Sequence, residues 1–479
     1  MFRFKKIGEV QPVASINVKR SKLGLGFEKL DRDVFDPEKA YPYVAQTGVK
    51  WIRIQSGWAR TEKVKGEYDF AWLDAIVDNL LKIGTMPWVC LCYGNALYSE
   101  AAKTVFGAVG IPPVKTEEER KAWHRYVFTL VSRYKARGVD RFEVWNEPDG
   151  PWCWKHGPSG KEYGEFVKAT AAAIHEANPA AKVIVGSVCM HNLEWTLDMC
   201  ETGCLDNVWG FTYHCYSADE TENPHVVRFY KSILKKFNPA IKIIQGESGS
   251  QSRPDGAGAL NGLAWTQEKQ AKQLLRHTVS DLLCDVEFMS FFSTMDMVEA
   301  LCGTVGDKSS YMDYGYFGIL SATFDEDGRS TGEYTPKKSF KALQVLASLF
   351  KEEPEVTEDI IYFLKPQSSK LMNYKQEVCH NDIISGGFNM PNGNVLFTYW
   401  KPTDLINMSI DETMTIAFGG FKKLPKLIDP MTGTIYALPD EMVEWKSEIA
   451  FHLNHIPLRD YPLFLLFEQD APRASRSRA

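Results

Sequence analysis

Arg141-Phe142-Glu143-Val144-Trp145-Asn146-Glu147-Pro148-Asp149 is the stretch that decides the fold. Phe142, Val144 and Trp145 are apolar and suit a strand, while Pro148, which has no amide proton to donate, ends the ladder. Asn146 and Glu147 therefore fall at the C-terminal end of a short buried strand, where an α/β barrel builds its active site. Taken alone, the pattern also describes an ordinary strand exit with a solvated acid.

Ile241-Lys242-Ile243-Ile244-Gln245-Gly246-Glu247-Ser248-Gly249 repeats it. An apolar strand again runs into a carboxylate, and the flanking glycines permit tight turns and close approach of a backbone or ligand. Two strand-end glutamates suggest the pair that hydrolyses a glycosidic bond. Their separation in sequence sets no distance, so the pairing depends on the fold.

Outward from these two segments, strands are expected near 23–27, 49–55, 86–92, 182–188, 208–213 and 286–292. Helices are expected near 35–47, 69–83, 117–137, 160–177, 223–237, 266–284 and 336–350. In the 69–83 segment Trp72, Leu73, Ile76, Val77, Leu80 and Leu81 form one broad face, and Gly84 stops the helix. Strand–helix repetition over residues 21–350 predicts an α/β fold, a (β/α)₈ TIM barrel with enlarged loops. A doubly wound sheet is the alternative, because periodicity alone does not close a barrel. No glycine-rich phosphate cradle opens a helix: Gly24-Leu25-Gly26-Phe27 lacks both a third glycine and a helix start.

After residue 350 the rhythm changes to short strands near 359–364, 371–374, 395–400, 414–418, 427–436 and 463–467, separated by Gly, Pro, Asn and Asp turns. Residues 351–468 are expected to form a C-terminal antiparallel β-sandwich domain on the barrel. Residues 1–20 supply either an edge strand to that domain or a lead-in to the barrel. The basic, serine-containing stretch 469–479 reads as a flexible tail.

Of the 479 residues, 44% are hydrophobic and 24% charged, the balance of a globular protein large enough for one big domain and a smaller one. A formal net charge of −6 provides no broad basic field and argues against a nucleic-acid partner. Thirteen tryptophans are compatible with sugar binding, although large cores also use them. The first ten residues hold no signal-like apolar run, and no segment reaches membrane-spanning length, so no membrane association is expected. Ten scattered cysteines, several in apolar strands, favour free thiols in a reducing cytoplasm. Cys90-Leu91-Cys92 does not match a zinc spacing, and no metal is expected. A homo-oligomer is left open.

Cleaving an acetal needs a proton donor for the departing oxygen and a second group at the anomeric carbon. If two carboxyl groups face each other across about 5 Å, the second attacks directly and configuration is retained. Glu147 is assigned as acid/base and Glu247 as nucleophile; an acid beside another carboxylate keeps its proton to higher pH and can donate it first. Asn146 is a candidate partner for the sugar 2-hydroxyl, or a backbone cap in the turn. Arg53 would hold the nucleophile ionised, or form a rim salt bridge. His214 and Tyr216, two residues apart, share a face. Tyr216 is expected to donate to Glu247, and His214 to order the acid/base region or sit alone in the core. Trp58, Trp152, Trp154 and Phe292 are candidate sugar platforms, each also readable as packing.

Trp145-Asn146-Glu147-Pro148 and Gly246-Glu247 resemble the two catalytic motifs of retaining glycoside hydrolases of clan A. Phe142-Glu143-Val144-Trp145-Asn146-Glu147-Pro148-Asp149 is similar to glycoside hydrolase family thirty-nine, the family of β-xylosidases and α-L-iduronidases. The likeness runs through Trp51-Ile52-Arg53-Ile54-Gln55-Ser56-Gly57-Trp58, residues 66–70, His214-Cys215-Tyr216 and residues 335–340. It implies a barrel with an accessory β-sandwich, the roles given above for Glu147, Glu247 and Asn146, and no cofactor. One departure is Phe291-Phe292-Ser293-Thr294-Met295-Asp296, where many clan enzymes place a tryptophan beneath the sugar. Phe292 would serve instead.

The resulting expectation is an exo-acting retaining glycosidase, by resemblance a β-xylosidase, that trims short oligosaccharides in the cytoplasm. The alternatives are a glycoside phosphorylase or transglycosylase using the same glutamates, and an inactive carbohydrate-binding barrel. A phosphate-handling barrel is disfavoured by the lack of a glycine-rich loop between the last two strands.

Overall fold

The computed structural model describes residues 4–366 and 383–468. Eight parallel strands close into a barrel: β1 Gly24–Gly26, β2 Trp51–Gln55, β3 Met86–Leu91, β4 Arg141–Val144, β5 Lys182–Val188, β6 Gly210–His214, β7 Lys242–Ser248 and β8 Met289–Phe291. Each strand pairs with the next in sequence, and β8 pairs with β1 through Phe291 and Leu25. This closure excludes the doubly wound alternative. Trp88, Ile184, Ile244 and Phe288 fill one level of the barrel as a separate buried cluster, which plugs the interior and leaves the other end to polar groups.

The surrounding helices are α1 Tyr41–Thr47, α2 Ala71–Lys82, α3 Glu117–Lys135, α4 Gly160–Ala177, α5 Leu193–Glu201, α6 Asn223–Leu234, α7 Gln267–Leu283 and α8 Lys338–Leu349. Helix α3 starts at a capping box in which the Thr116 hydroxyl accepts from Glu119 N and the Glu119 carboxylate accepts from Thr116 N. Helix α1 is shorter than the expected 35–47 segment. It begins beside Pro42, and Pro37 biases the residue before it away from helical geometry. Helix α5 was absent from the sequence expectation; Asn192 caps it by accepting from Trp195 N.

The C-terminal part is built from two antiparallel sheets. Seven strands run in the order Lys6–Glu9, Thr434–Tyr436, Lys426–Asp429, Leu463–Phe467, Val395–Trp400, Ile384–Asn389 and Glu355–Thr357. Four run Ile361–Pro366, Glu412–Gly419, Ala450–Leu458 and Val443–Ser447. Phe397 and Phe467 of the first sheet meet Phe418 of the second at ring distances of 5.2 and 5.1 Å. The N-terminal Lys6–Glu9 strand pairs with Thr434–Tyr436. The segments expected at 371–374 and 469–479 lie outside the described residues.

Helix α7 is buried almost throughout because it is clamped between barrel and sandwich. Lys272 Nζ reaches Asp460 at 2.6 Å and the carbonyls of Ile406 and Met408 at 2.9 Å. Arg276 binds Glu220, which follows β6, and Trp400 Nε1 donates to the same carboxylate at 2.6 Å. Among the described residues no helix is long and apolar enough to cross a membrane.

Candidate active site

The polar end of the barrel is organised by Arg53. Its side chain, on β2, is fully buried, and a buried guanidinium requires carboxylate and hydrogen-bond partners to offset its lost hydration. Nε donates to Glu143 at 2.8 Å, and Nη1 donates to Glu247 Oε2 at 2.8 Å. Nη2 donates to Asn146 Oδ1 at 2.8 Å and to Ser187 Oγ at 3.1 Å. One planar fork thus ties together side chains from the ends of β4, β5 and β7.

Past β4 the backbone turns sharply, with Trp145 and Glu147 in the left-handed region at φ 69° and 45°. Local bonds hold this strained turn: Trp145 N to Leu91 O at 3.1 Å, Glu147 N to Ser187 O at 3.1 Å, and Trp145 Nε1 to Cys153 O at 2.7 Å. Trp145 is packed into the core, while Glu147 lines a cavity of about 460 Å³.

Glu147 Oε1 lies 3.0 Å from His214 Nδ1, and Oε2 accepts from Trp152 Nε1. Burial pushes the Glu147 carboxyl above its ordinary range. Burial also drops His214 to about 4, so the imidazole is neutral at pH 7. Its other nitrogen sits 3.0 Å from Ser187 Oγ. A neutral imidazole accepts from a carboxylic acid in one tautomer and donates to a carboxylate in the other, so this bond survives a change of protonation at Glu147.

Glu247 has different neighbours. Arg53 holds one oxygen, and the Tyr216 hydroxyl donates to the other. Burial and Glu247 raise Tyr216 well above its ordinary range, which keeps that donor protonated. His214 aligns with Glu247 in the β6–β7 register, and Gly246 leaves room for it: a Cβ there would stand 3.2 Å from the imidazole. A carboxylate oxygen of Glu147, a nitrogen of His214 and a carboxylate oxygen of Glu247 all lie within 4.8 Å of one another. That trio has the count for a cation site, but Arg53 and Tyr216 already occupy both oxygens of Glu247.

Glu147, Glu247, Asn146, His214, Tyr216, Trp152 and Phe292 line the one cavity, with Arg53 directly behind them. Trp58 and Trp154 correct the expectation of sugar platforms, because both are fully buried and neither lines the cavity. Trp58 stacks between Tyr98 and Tyr126 at 5.3 and 5.7 Å. Trp154 packs edge-on to Trp145 and donates to Glu162 at 2.9 Å. Sequence reasoning passed over Glu28, Lys29 and Glu299, which also line the cavity. Glu28 carried a usable signal, a carboxylate directly after a barrel strand.

Residues 36–237 match the model of glycosyl hydrolases family 39. Over 190 residues the chain is 27% identical to a β-xylosidase of Geobacillus stearothermophilus, with 37% of each chain covered. Over 151 residues it is 32% identical to a β-xylosidase of Caldicellulosiruptor saccharolyticus, covering 29% of this chain and 30% of the relative. The chain spans about a third of the length of these curated relatives. The fold is also that of a family 39 glycoside hydrolase from Bacteroides cellulosilyticus, with a TM-score of 0.63, 17% identity and coverage of 93% of this chain and 81% of the other. A monomeric β-xylosidase from Caulobacter crescentus superposes with a TM-score of 0.59, 16% identity and coverage of 96% and 97%. The matched segment carries Arg53, Asn146, Glu147, His214 and Tyr216, and over it the chain is similar to glycosyl hydrolases family 39.

Proposed function

We propose that the chain is a retaining, exo-acting glycoside hydrolase that removes the terminal sugar from short oligosaccharides, with Glu147 as acid/base and Glu247 as nucleophile. The observation that carries this reading is the division of labour between two carboxyl groups within 4.8 Å of each other. Glu147 is buried against a neutral histidine, an environment that favours a held proton. Glu247 instead accepts hydrogen bonds from the Arg53 guanidinium and the Tyr216 phenol, which aim it as the attacking group.

In the first step Glu147 gives its proton to the departing glycosidic oxygen while Glu247 attacks the anomeric carbon, forming a glycosyl ester. Glu147, now a carboxylate, then takes a proton from water as that water attacks the same carbon and Glu247 leaves. Two inversions give net retention. Asn146, whose carbonyl is held by Arg53, turns its amide donor to the 2-hydroxyl, a contact that strengthens as the ring flattens.

Exo action is supported by the walls of the cavity: Trp152 after β4, Gly258 and Ala259 after β7, and Leu301 after β8. The β-xylosidases among the relatives make a β-xyloside the first substrate to try, with Phe292 as the apolar platform. Nine cysteines among the described residues are free, which supports a reducing compartment such as the cytoplasm.

Hydrolysis of a panel of aryl α- and β-glycosides (xylosides, arabinosides, galactosides, glucosides, iduronides), with Glu247→Gln as control, tests the reading. Release of aglycone from one sugar, lost in the variant, is expected. Tight sugar binding without release from any aryl glycoside or natural disaccharide would point instead to an inactive carbohydrate-binding barrel. Release that depends on phosphate would point to a phosphorylase.

A further inference from the structure

Asn146 presents its amide to the cavity from between a guanidinium and a thiol. Arg53 offers donors alone, so Asn146 Oδ1 faces it at 2.8 Å and the amide nitrogen is turned the other way. There Nδ2 donates to the Cys153 thiol, with 3.6 Å between nitrogen and sulfur. Cys153 is fully buried and stands outside the cavity lining, whereas Asn146 belongs to it. The thiol therefore touches the amide from behind. Its own place is firmly set. Cys153 N donates to Gly150 O at 3.1 Å, and Cys153 O accepts from Trp145 Nε1 at 2.7 Å, within the turn that carries Asn146. The Tyr93 hydroxyl lies 3.6 Å from Sγ and accepts from Gln55 Nε2 at 3.4 Å. Gly110 lets the loop after β3 close on this backbone, since a Cβ there would stand 3.0 Å from Cys153 Cα. Nothing in the double displacement uses this thiol.

We propose that Cys153 is a positioning residue that fixes the plane of the Asn146 amide and so sets how strongly the site recognises the sugar 2-hydroxyl. This deepens the hydrolase reading above and rests on it. A single contact at Oδ1 leaves the amide free to tilt about the bond to Cβ. The contact at Nδ2 removes that freedom. An asparagine nitrogen carries two hydrogens, of which one goes to sulfur and the other is left for the cavity. Sulfur is a weak acceptor, so it orients the amide without competing strongly with a substrate oxygen. Burial, and then the charge of Glu147, push the thiol above its ordinary range. It stays protonated and brings no further negative charge beside the acid/base. A contact that tightens in the transition state depends on aim, and a misplaced group loses rate steeply.

The test compares kcat/KM of the wild type, Cys153→Ala, Cys153→Val and Cys153→Ser on a cleaved aryl glycoside and its 2-deoxy analogue, each also in an Asn146→Ala background. Cys153→Ala and Cys153→Val, which lack an acceptor, are expected to lower kcat/KM on the full sugar by about 10-fold. On the 2-deoxy analogue, and in the Asn146→Ala background, the same changes should alter it by less than about 2-fold, because the contact that Cys153 serves is absent. Cys153→Val also fills the place of the thiol, which separates loss of the acceptor from loss of packing. If its extra methyl prevents folding, the alanine variant carries the same comparison. Cys153→Ser keeps an acceptor and should recover most of the 2-hydroxyl selectivity. One common factor on both sugars and in both backgrounds, or a serine variant no more selective than alanine, would overturn the proposal and leave Cys153 a packing role. A wild type that cleaves no glycoside contradicts the hydrolase reading separately. Calorimetric binding of xylose and 2-deoxyxylose then decides the role of Cys153. Weaker binding of xylose alone in Cys153→Ala supports it, and unchanged affinities or equal losses for both sugars overturn it.

Discussion

Arg53 Nη1 and Glu247 Oε2 meet at 2.8 Å inside the barrel, and the same guanidinium reaches Asn146 Oδ1 at 2.8 Å. The group that holds the proposed nucleophile therefore also sets the orientation of the amide assigned to the sugar. Lysine keeps the charge but has no planar fork and cannot serve Glu143, Glu247 and Asn146 together. Arg53→Lys is expected to lower kcat/KM by about 10²- to 10³-fold and to destabilise the fold by roughly 3–5 kcal/mol, the range for breaking a buried ion pair. Steady-state kinetics and a urea melt check this, and near-wild-type values in both would contradict it.

Trp152 should tune the acid. Its indole N–H donates to Glu147 Oε2 and stabilises the carboxylate form, opposing the upward push of burial. Trp152→Phe removes that donor while keeping an apolar ring, so the proton on Glu147 should persist to higher pH. The alkaline limb of the kcat/KM profile should move upward; an unmoved limb would show that the indole does not govern the acid.

Glu28 makes stability depend on pH with a defined sign. Its folded pKa of about 8 stands above the ordinary carboxyl value of 4.5, so the native state holds this proton more tightly than the unfolded chain. The associated stabilisation is fully present below about pH 4.5 and is lost as pH rises through about 8, amounting to roughly a few kcal/mol. Glu28→Gln cannot ionise and should lack this component. The difference in urea midpoint between wild type and variant should therefore shift in favour of the variant between pH 5 and 9, in the order of magnitude of the linkage relation. A constant difference would place the Glu28 pKa near its ordinary value.

Lys272 and Asp460 join barrel and sandwich at 2.6 Å, both fully buried. Lys272→Met leaves Asp460 without its counter-charge and should cost roughly 3–5 kcal/mol, with part recovered in Lys272→Met/Asp460→Asn. Chemical denaturation of the single and double variants measures this. No recovery in the double variant would mean that the carbonyls of Ile406 and Met408, rather than Asp460, carry the interaction.

Much of the barrel was legible because its strands are apolar runs followed by amphipathic helices, and because Asn146-Glu147 and Gly246-Glu247 stand at strand ends. Helix α5 escaped because nine residues with buried Trp195, Met199 and Cys200 give little periodic signal. The start of α1 is not legible, because apolar spacing continues back past Pro37, where helical geometry does not. Side-chain direction was the other gap. Trp58 and Trp152 look alike in sequence, but one completes an aromatic cluster and the other faces a carboxylate. Glu28, Lys29 and Glu299 reach the cavity from the loops after β1 and β8, segments distant in sequence that meet only when β8 pairs with β1.

Reaction of Glu247→Ala with an activated aryl glycoside in the presence of azide shows whether Glu247 is the group that attacks the anomeric carbon. Negligible turnover without azide, restored release of the aryl group with it, and a glycosyl azide of inverted configuration are expected, because azide takes the place of the missing carboxylate. Unimpaired turnover without azide, or a glycosyl azide of retained configuration, would contradict the assignment of Glu247 as the nucleophile.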